Sequence, residues 1–430
     1  MKRAFNYTWF YVGLASLTLA ASCKPEIDGF VPTAGQANFS KYISVGNSLT
    51  AGFADGGLYL AGQQVAYPNL IAEQLQQVGG GEFRSPLFSE AQRNGSGYLE
   101  LAALVNGQPQ TRNVTENLGY RAQGRLVKYT EEIENLGVPG MRIDLASVPQ
   151  FSSLNMYFER LLPDNEVNRR TYKDFATTKN HTFFSFWLGN NDVLGYAMNG
   201  AYQNPLDPTT TLTSVAVFNG LYNEFIDLLT ANQQKGVVAT IPTVTSIPFF
   251  TTVTTARLVA GVSASTNGAY SNIYIRTAAG VRTATSDDLF TLRFPTDTLG
   301  KTSGGIPGYG LIPQNPLSDQ LVIDRDEVVE IAQRVTAFND IIKAAASRKG
   351  LAVADAQAYL NRVSNPGIMY NGVNVNASFI TGNAFSLDGI HLTPMGNALI
   401  ANLFIDAINA QYGSKIPKVD ATRYPGVKFP

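Results

Sequence analysis

The sequence predicts an α/β fold built on a parallel sheet with helices on both faces. Three observations carry this expectation. Short apolar runs that end in Gly-containing polar turns alternate with amphipathic helical stretches, the pattern of strand–helix–strand crossovers. One run, Phe183 to Leu188, is apolar almost throughout, as a strand shielded on both faces requires. At 430 residues with 44% hydrophobic side chains, the chain is long enough to bury a sizeable core.

At the N-terminus, Lys2 and Arg3 precede an apolar stretch from Trp9 to Ala21. This is the positive region and short hydrophobic run of a secretory signal, too short to span a bilayer. The sole cysteine, Cys23, follows Leu19-Ala20-Ala21-Ser22. These small residues resemble the lipobox of bacterial lipoproteins, with Ala20 where leucine is usual; there the cysteine sulfur is acylated after cleavage. The resemblance implies a signal peptide over 1–22, a lipid-bearing Cys23 (palmitate among its chains) and a polar tether over 23–37. Acyl chains contribute about 0.8 kcal/mol per buried CH₂, so several of them anchor a protein without a transmembrane helix. The expected location is extracytoplasmic, on the bacterial outer membrane.

The main domain is expected over 38–412, followed by a tail over 413–430. Tyr42 to Gly46 reads as a buried strand running into Asn47-Ser48-Leu49-Thr50-Ala51-Gly52, which places a side chain at the sheet's carboxyl edge. Tyr67 to Val78 has helical spacing (Leu70, Ile71, Gln74, Leu75, Val78), and Gly79-Gly80-Gly81 stops it. Those glycines lack the Lys-Ser/Thr of a phosphate loop. Residues 82–134 read as an insertion, with a hairpin from Tyr98 to Gln110 around Asn106-Gly107. Asn135 to Gly140 ends a short strand in a tight turn, and Phe183 to Leu188 stops at Gly189-Asn190-Asn191-Asp192.

Val217 to Leu229 then aligns Phe218, Leu221, Tyr222, Phe225, Leu228 and Leu229 on one helical face, before a strand from Val237 to Ile241. Residues 250–320, rich in Thr, Ser, Gly and Pro and alternating over Leu289 to Phe294, suit a β-rich insertion. The helix from Asp326 to Arg348 turns Val328, Ile331, Ala332, Val335, Phe338, Ile342 and Ala345 inward. Gly350 ends it before the strand Leu351 to Ala354. A last helix, about Pro394 to Tyr412, follows Asp388-Gly389-Ile390-His391.

Composition excludes several chemistries. With 32 Lys and Arg against 33 Asp and Glu, the net charge is −1. That leaves no cationic excess to release counterions from a nucleic-acid backbone. One cysteine forbids an internal disulfide, and His181 and His391 have no zinc-ligand spacing. No metal or organic cofactor is implied. Charged residues make up 15% of the chain, against about 25% in an average globular protein, so the surface suits neutral polar partners.

Four turns hold the residue types that nucleophilic acyl transfer needs. Ser48 is a hydroxyl on an exposed turn; Asp388, three residues before His391, can hold one ring nitrogen while the other faces the serine. Gly140 and Asn191, on two further turns, offer a backbone N–H and a side-chain amide to a developing oxyanion. His181 lacks an apparent partner and reads as a surface or core-edge residue. Asp192 reads as a structural residue beneath its turn, and Phe53, Tyr59 and Tyr67 as packing.

With these residues in order, the chain resembles the SGNH (GDSL-type) hydrolases over about residues 38–412. Gly46-Asn47-Ser48-Leu49 is similar to the nucleophile block, Val138-Pro139-Gly140 to the second, Gly189-Asn190-Asn191-Asp192 to the Gly-x-Asn-Asp block and Asp388-Gly389-Ile390-His391 to the Asp-x-x-His block. The resemblance implies a flavodoxin-like three-layer α/β/α fold and ester hydrolysis through an acyl-enzyme. It assigns Ser48 as nucleophile, His391 as base and then acid, Asp388 as orienter, and Ser48 N–H, Gly140 N–H and Asn191 as oxyanion hole. Asn47 stands where the family has aspartate. Thr50 stands where the second glycine of Gly-x-Ser-x-Gly belongs, which disfavours an α/β-hydrolase.

The expected substrate is a lipid, acetyl-glycan or small carboxylic ester, with both insertions shaping its pocket and the protein acting as a monomer. Asn47 favours one alternative: a surface lipoprotein that binds glycans on a hydrolase scaffold without turnover.

Overall fold

Strand β1, Tyr42–Gly46, is buried at every position, because the β-branched and aromatic side chains of Tyr-Ile-Ser-Val are covered on both faces. In the computed structural model, which describes residues 30–105 and 108–430, β1 is one of four hydrogen-bonded parallel strands. The others are β2 (Phe183–Trp187), β3 (Lys235–Ala239) and β4 (Ala352–Ala354), in the order β1-β2-β3-β4. On the free side of β1 the segment around Asn135 adds a parallel bridge to Ser44, with Leu136 N–H donating to Ser44 and Val138 N–H to Gly46. Counting that segment, the spatial order is 2-1-3-4-5, the flavodoxin-like doubly wound arrangement. The expected signal peptide, Cys23 and residues 24–29 of the tether lie outside the described residues, as do Asn106 and Gly107, expected at the turn of the hairpin.

Alternation along β2 shows how both faces are filled. Trp187 meets Tyr67 and Phe404 on one face, while its neighbour Phe186 meets Tyr222 and Phe225 on the other. The short helix α1 (Ser48–Ala51) leaves the end of β1, and α2 (Tyr67–Leu75) packs on the first face. Helix α3 (Asn191–Met198) leaves the end of β2. Helices α4 (Val215–Leu229) and α5 (Arg325–Lys349) pack together on the second face. Helix α6 (Pro394–Tyr412) pairs with α2.

Most helix ends have the chemistry their sequence advertises. Gly79 and Gly350 adopt left-handed φ of 88° and 64° as stops, and Asp324 with Glu327 forms a reciprocal capping box at the start of α5. Two inward assignments differ: Leu228 and Ala332 are exposed, and Ile226 and Asn339 fill the interface instead.

Helix α6 is apolar nearly all round because it is covered twice. The sheet lies on one side, and residues 413–430 return over the other: Asn402 exchanges two hydrogen bonds with Val419 (2.8 Å each), and Asn409 does the same with Ile416. The tail is thus packed against the main domain.

The hairpin expected within 82–134 is present as Tyr98–Val105 and Gln108–Val114. The 250–320 insertion holds short strands, Tyr274–Thr277 paired with Gly280–Thr283, and Leu289–Phe290, which pairs with Val322–Ile323 just beyond it. It also holds an 11-residue helix, Thr255–Ser265, capped by Thr254, which the Thr/Ser/Gly-rich composition hid. Leu258, Val262, Ile275, Phe290 and Leu317 give this insertion a small core of its own. Among the described residues no helix is long and apolar enough to cross a membrane.

Candidate active site

The turn that carries Ser48 begins where β1 runs out. A Cβ on Gly46 would lie 2.0 Å from Thr50 Oγ1, so only glycine allows α1 to fold back so tightly. Asn47, 1% exposed, caps α1 by accepting the Leu49 N–H at 3.1 Å. An aspartate would accept the same bond, so the substitution at 47 keeps the turn. Ser48 is the first residue of α1, where a backbone N–H has no intrahelical acceptor.

His391 reaches this serine across 343 residues of sequence, its Nε2 2.8 Å from Ser48 Oγ. Its Nδ1 lies 2.8 Å from Asp388 Oδ2. The Asp388 carboxylate also accepts the N–H groups of Ile390, His391 and Gly56, all at 2.8 Å, and the Ser386 hydroxyl at 3.2 Å. Burial alone would raise this carboxyl, but the facing imidazole and these donors outweigh it and hold Asp388 well below the usual carboxylate range. It is therefore ionised wherever the protein works. Gly389 (φ 71°) makes the link possible, since a Cβ there would sit 2.9 Å from Phe249 N. The Phe53 ring packs 4.7 Å from that of His391.

Gly140 takes the left-handed position (φ 78°) of a turn closed by Met141 N–H to Val138 O at 3.1 Å. That segment is tied to α1 by Asn135, whose amide donates to Thr50 O. Tyr172 Oη lies within 3.0 Å of Gly46 N, Gly46 O and Leu136 O, bracing both turns. Asn191 donates one amide N–H to Met141 O at 3.0 Å and has a second to offer. Beneath it Arg142, 1% exposed, bonds Asp144 through both oxygens and reaches the carbonyls of Asn191, Thr209 and Thr211. Asp192 accepts from Ile143 N, Asp144 N and Thr213 Oγ1. Burial and the neighbouring Asp144 push its carboxyl up to about 7 against the pull of Arg142. Asp192 is structural, as its position suggested.

Ser48, Asp388, His391, Gly140 and Asn191 are thus brought to one edge of the sheet. His181 is elsewhere, buried with its ring nitrogens 2.8 and 2.9 Å from the carbonyls of Lys179 and Leu229. Tyr67 is core, bonded to Thr50. Ser48 and His391 border a cavity of about 50 Å³ walled by Leu194, Val244, Ile247, Leu360, Phe385 and Ile390. Neither insertion lines it. The insertions instead wall a separate groove of about 1480 Å³, with Leu104 and Pro109 on one side and Leu258, Val262 and Leu299 on the other.

A family model described as GDSL-like lipase/acylhydrolase matches residues 42–404. The chain belongs to this family. Ester hydrolysis is the activity that goes with it. No curated protein sequence matches the hydrolase. It is similar to a solved acetyl-xylooligosaccharide esterase variant from Geobacillus Stearmophilus, at 11% identity and TM-score 0.36 over 87% of this chain and 96% of that one. It is also similar to a lipase/acylhydrolase from Enterococcus faecalis (11%, 0.34, 88% and 99%) and to an extracellular lipase from Streptomyces rimosus (11%, 0.35, 85% and 98%).

Reading the hydrolase from sequence misses four supporting residues: Asp55, Tyr59 in its bonded role, Arg142 and Tyr172. Asp55-Gly56 carried a signal, the Asp-Gly pair of a tight turn. Arg142 had a weaker one, a lone charge between Met141 and Ile143. Nothing local marks Tyr172.

Proposed function

We propose that the protein is a serine esterase for short acyl groups. The observation that carries this reading is the unbroken chain Ser48 Oγ···His391 Nε2 and His391 Nδ1···Asp388 Oδ2, both links 2.8 Å. His391 takes the hydroxyl proton as Ser48 attacks the ester carbonyl, while ionised Asp388 fixes the ring and balances the imidazolium. The Ser48 N–H, the Gly140 N–H and the free Asn191 amide N–H receive the oxyanion. His391 returns the proton to the departing alcohol, and water repeats the sequence to release the acid.

The narrow cavity beside Ser48, about 50 Å³ and walled by apolar side chains, supports a short acyl group such as acetyl over a fatty chain. For p-nitrophenyl esters, kcat/KM is expected to fall by at least about tenfold between acetate and octanoate. A profile rising to palmitate would overturn the short-acyl reading. A fluorophosphonate is expected to label wild-type protein and not Ser48→Ala; folded wild type that stays unlabelled would sink the serine mechanism. Asn47, the one feature favouring a non-catalytic glycan binder, caps the nucleophile helix as an aspartate would and no longer supports that alternative.

We further propose, from the lipobox resemblance, that Cys23 carries the lipid that places this esterase on the outer membrane. Palmitate incorporation in cells is expected to vanish in Cys23→Ala, and incorporation that persists would refute the anchor.

A further inference from the structure

We infer that Asp55 is a positioning residue for ester hydrolysis, fastening the triad acid to the nucleophile's own turn and adding a second negative charge beside the imidazole. The inference rests on the serine-esterase reading above. Asp55 lies four residues beyond the end of α1 in a turn of Ala54, Asp55, Gly56 and Gly57. Ala54 N–H donates to Gly57 O at 3.0 Å and Gly57 N–H returns to Ala54 O at 2.9 Å. Both central residues have positive φ, 54° at Asp55 and 78° at Gly56, the signature of a type I′ turn. A side chain at Gly57 is impossible, because its Cβ would lie 1.7 Å from Gly97 O. The strained region is natural to Gly56 and unusual for a residue with a Cβ such as Asp55.

That geometry turns the two central N–H groups outward, and both reach the triad loop. Asp55 N–H donates to Ser386 Oγ at 3.0 Å, and Ser386 Oγ is 3.2 Å from Asp388 Oδ1. Gly56 N–H donates to Asp388 Oδ2, the same oxygen that faces His391 Nδ1. The Asp55 side chain adds a third tie by accepting the Leu387 N–H at 2.9 Å. Its other oxygen accepts the Tyr59 hydroxyl at 2.7 Å. Tyr59 is held in turn by stacking on Tyr98, ring centroids 4.0 Å apart.

Each Asp55 oxygen thus receives a donor, the pattern of an ionised carboxylate. A turn needing only left-handed backbone is met more easily by Asn or Gly; the carboxylate is what links Leu387 and Tyr59 at once.

The groups facing Asp55 are Asp388, His391, Tyr59 and Tyr98. Asp388 titrates well below the usual range, and burial with the Asp55 charge keeps Tyr59 well above its own. Burial, together with the Asp388 charge, raises the Asp55 carboxyl above its usual range, against the pull of Leu387, Tyr59 and the imidazole. Ionised Asp55 attracts the imidazolium that forms when Ser48 gives up its proton, and removing the Asp55 charge removes that attraction.

The experiment compares full-length wild type, Asp55→Asn and Tyr59→Phe on p-nitrophenyl acetate from pH 5 to 9. Asp55→Asn is expected to lower kcat about tenfold with KM within twofold, and to move the acidic limb of kcat/KM by about half a pH unit toward lower pH. A purely structural role would not move the limb. Tyr59→Phe, which removes one bond to Asp55 and keeps its charge, is expected to lower kcat about threefold. It decides the matter if Asp55→Asn does not fold. Wild-type kcat with an unmoved limb in Asp55→Asn overturns the inference, as does unchanged kcat in Tyr59→Phe should that variant have to decide. Fluorophosphonate labelling of wild-type Ser48 tests the parent reading separately, because it does not involve Asp55.

Discussion

Ser48→Ala is expected to lower kcat on p-nitrophenyl acetate by about 10⁴- to 10⁶-fold, and His391→Ala by a similar factor. The double variant is expected to be no worse than either single one, because the serine and imidazole act as a unit. Ser48 sits at the rim of the apolar cavity and not within the sheet core, so the urea unfolding midpoint of Ser48→Ala should stay close to wild type, whereas His391→Ala, which takes the imidazole from buried Asp388, should lower it. The residual rate comes from the oxyanion donors, which neither change touches. A Ser48→Ala protein with more than about 1% of wild-type kcat would place the chemistry elsewhere.

The largest effect on stability is expected at Arg142. Its guanidinium is 1% exposed and is bonded to Asp144, Thr213 and the carbonyls of Asn191, Thr209 and Thr211. Arg142→Met removes the cation and leaves Asp144 and Asp192 facing each other with no positive partner among these contacts. Breaking a buried pair in this way costs about 3–5 kcal/mol, measurable by urea denaturation. Arg142→Lys is expected to recover only part of it, since an ammonium cannot make the fork to Asp144 while reaching the carbonyls. Losing the bond to Asn191 O should also loosen the oxyanion amide, so kcat falls with KM little changed. A loss below about 1 kcal/mol in Arg142→Met would show that the network is not a stabilising unit.

That Ser48, Asp388 and His391 come together was legible in the sequence because chemistry limits the choice. Only two histidines exist, and only His391 has an aspartate three residues before it in a turn that opens a helix. The central strands were legible too, β1 to its last residue and β2 to within one, from runs interrupted only by Ser44 and Ser185. What stayed hidden depends on distant partners. Asp55 meets Leu387 and its neighbour Gly56 meets Asp388, each pair 332 positions apart. Arg142 acquires its role from the carbonyls of 209 and 211, and backbone carbonyls leave no trace in a sequence. The helix Thr255–Ser265 hid for another reason, since Thr, Ser and Gly are weak helix formers and its stability comes from burying Leu258 and Val262 in the insertion's core.

The parallel sheet has a further consequence, for how the molecule forms. Ser44 and Ser185, adjacent across β1 and β2, are 141 positions apart, and Ser48 and His391 are 343 apart. Thr33 and Lys415 close the circuit with two reciprocal hydrogen bonds near the chain ends. Such a high contact order makes folding slow, because loop closure must be met before the distant pairings reward it. An N-terminal fragment can form the turn that carries Ser48, yet Asp388 and His391 reach it only once the segment leading into α6 is in place. On the serine-esterase reading proposed above, hydrolytic turnover in this chain reports completed folding, and a partly synthesised molecule is silent.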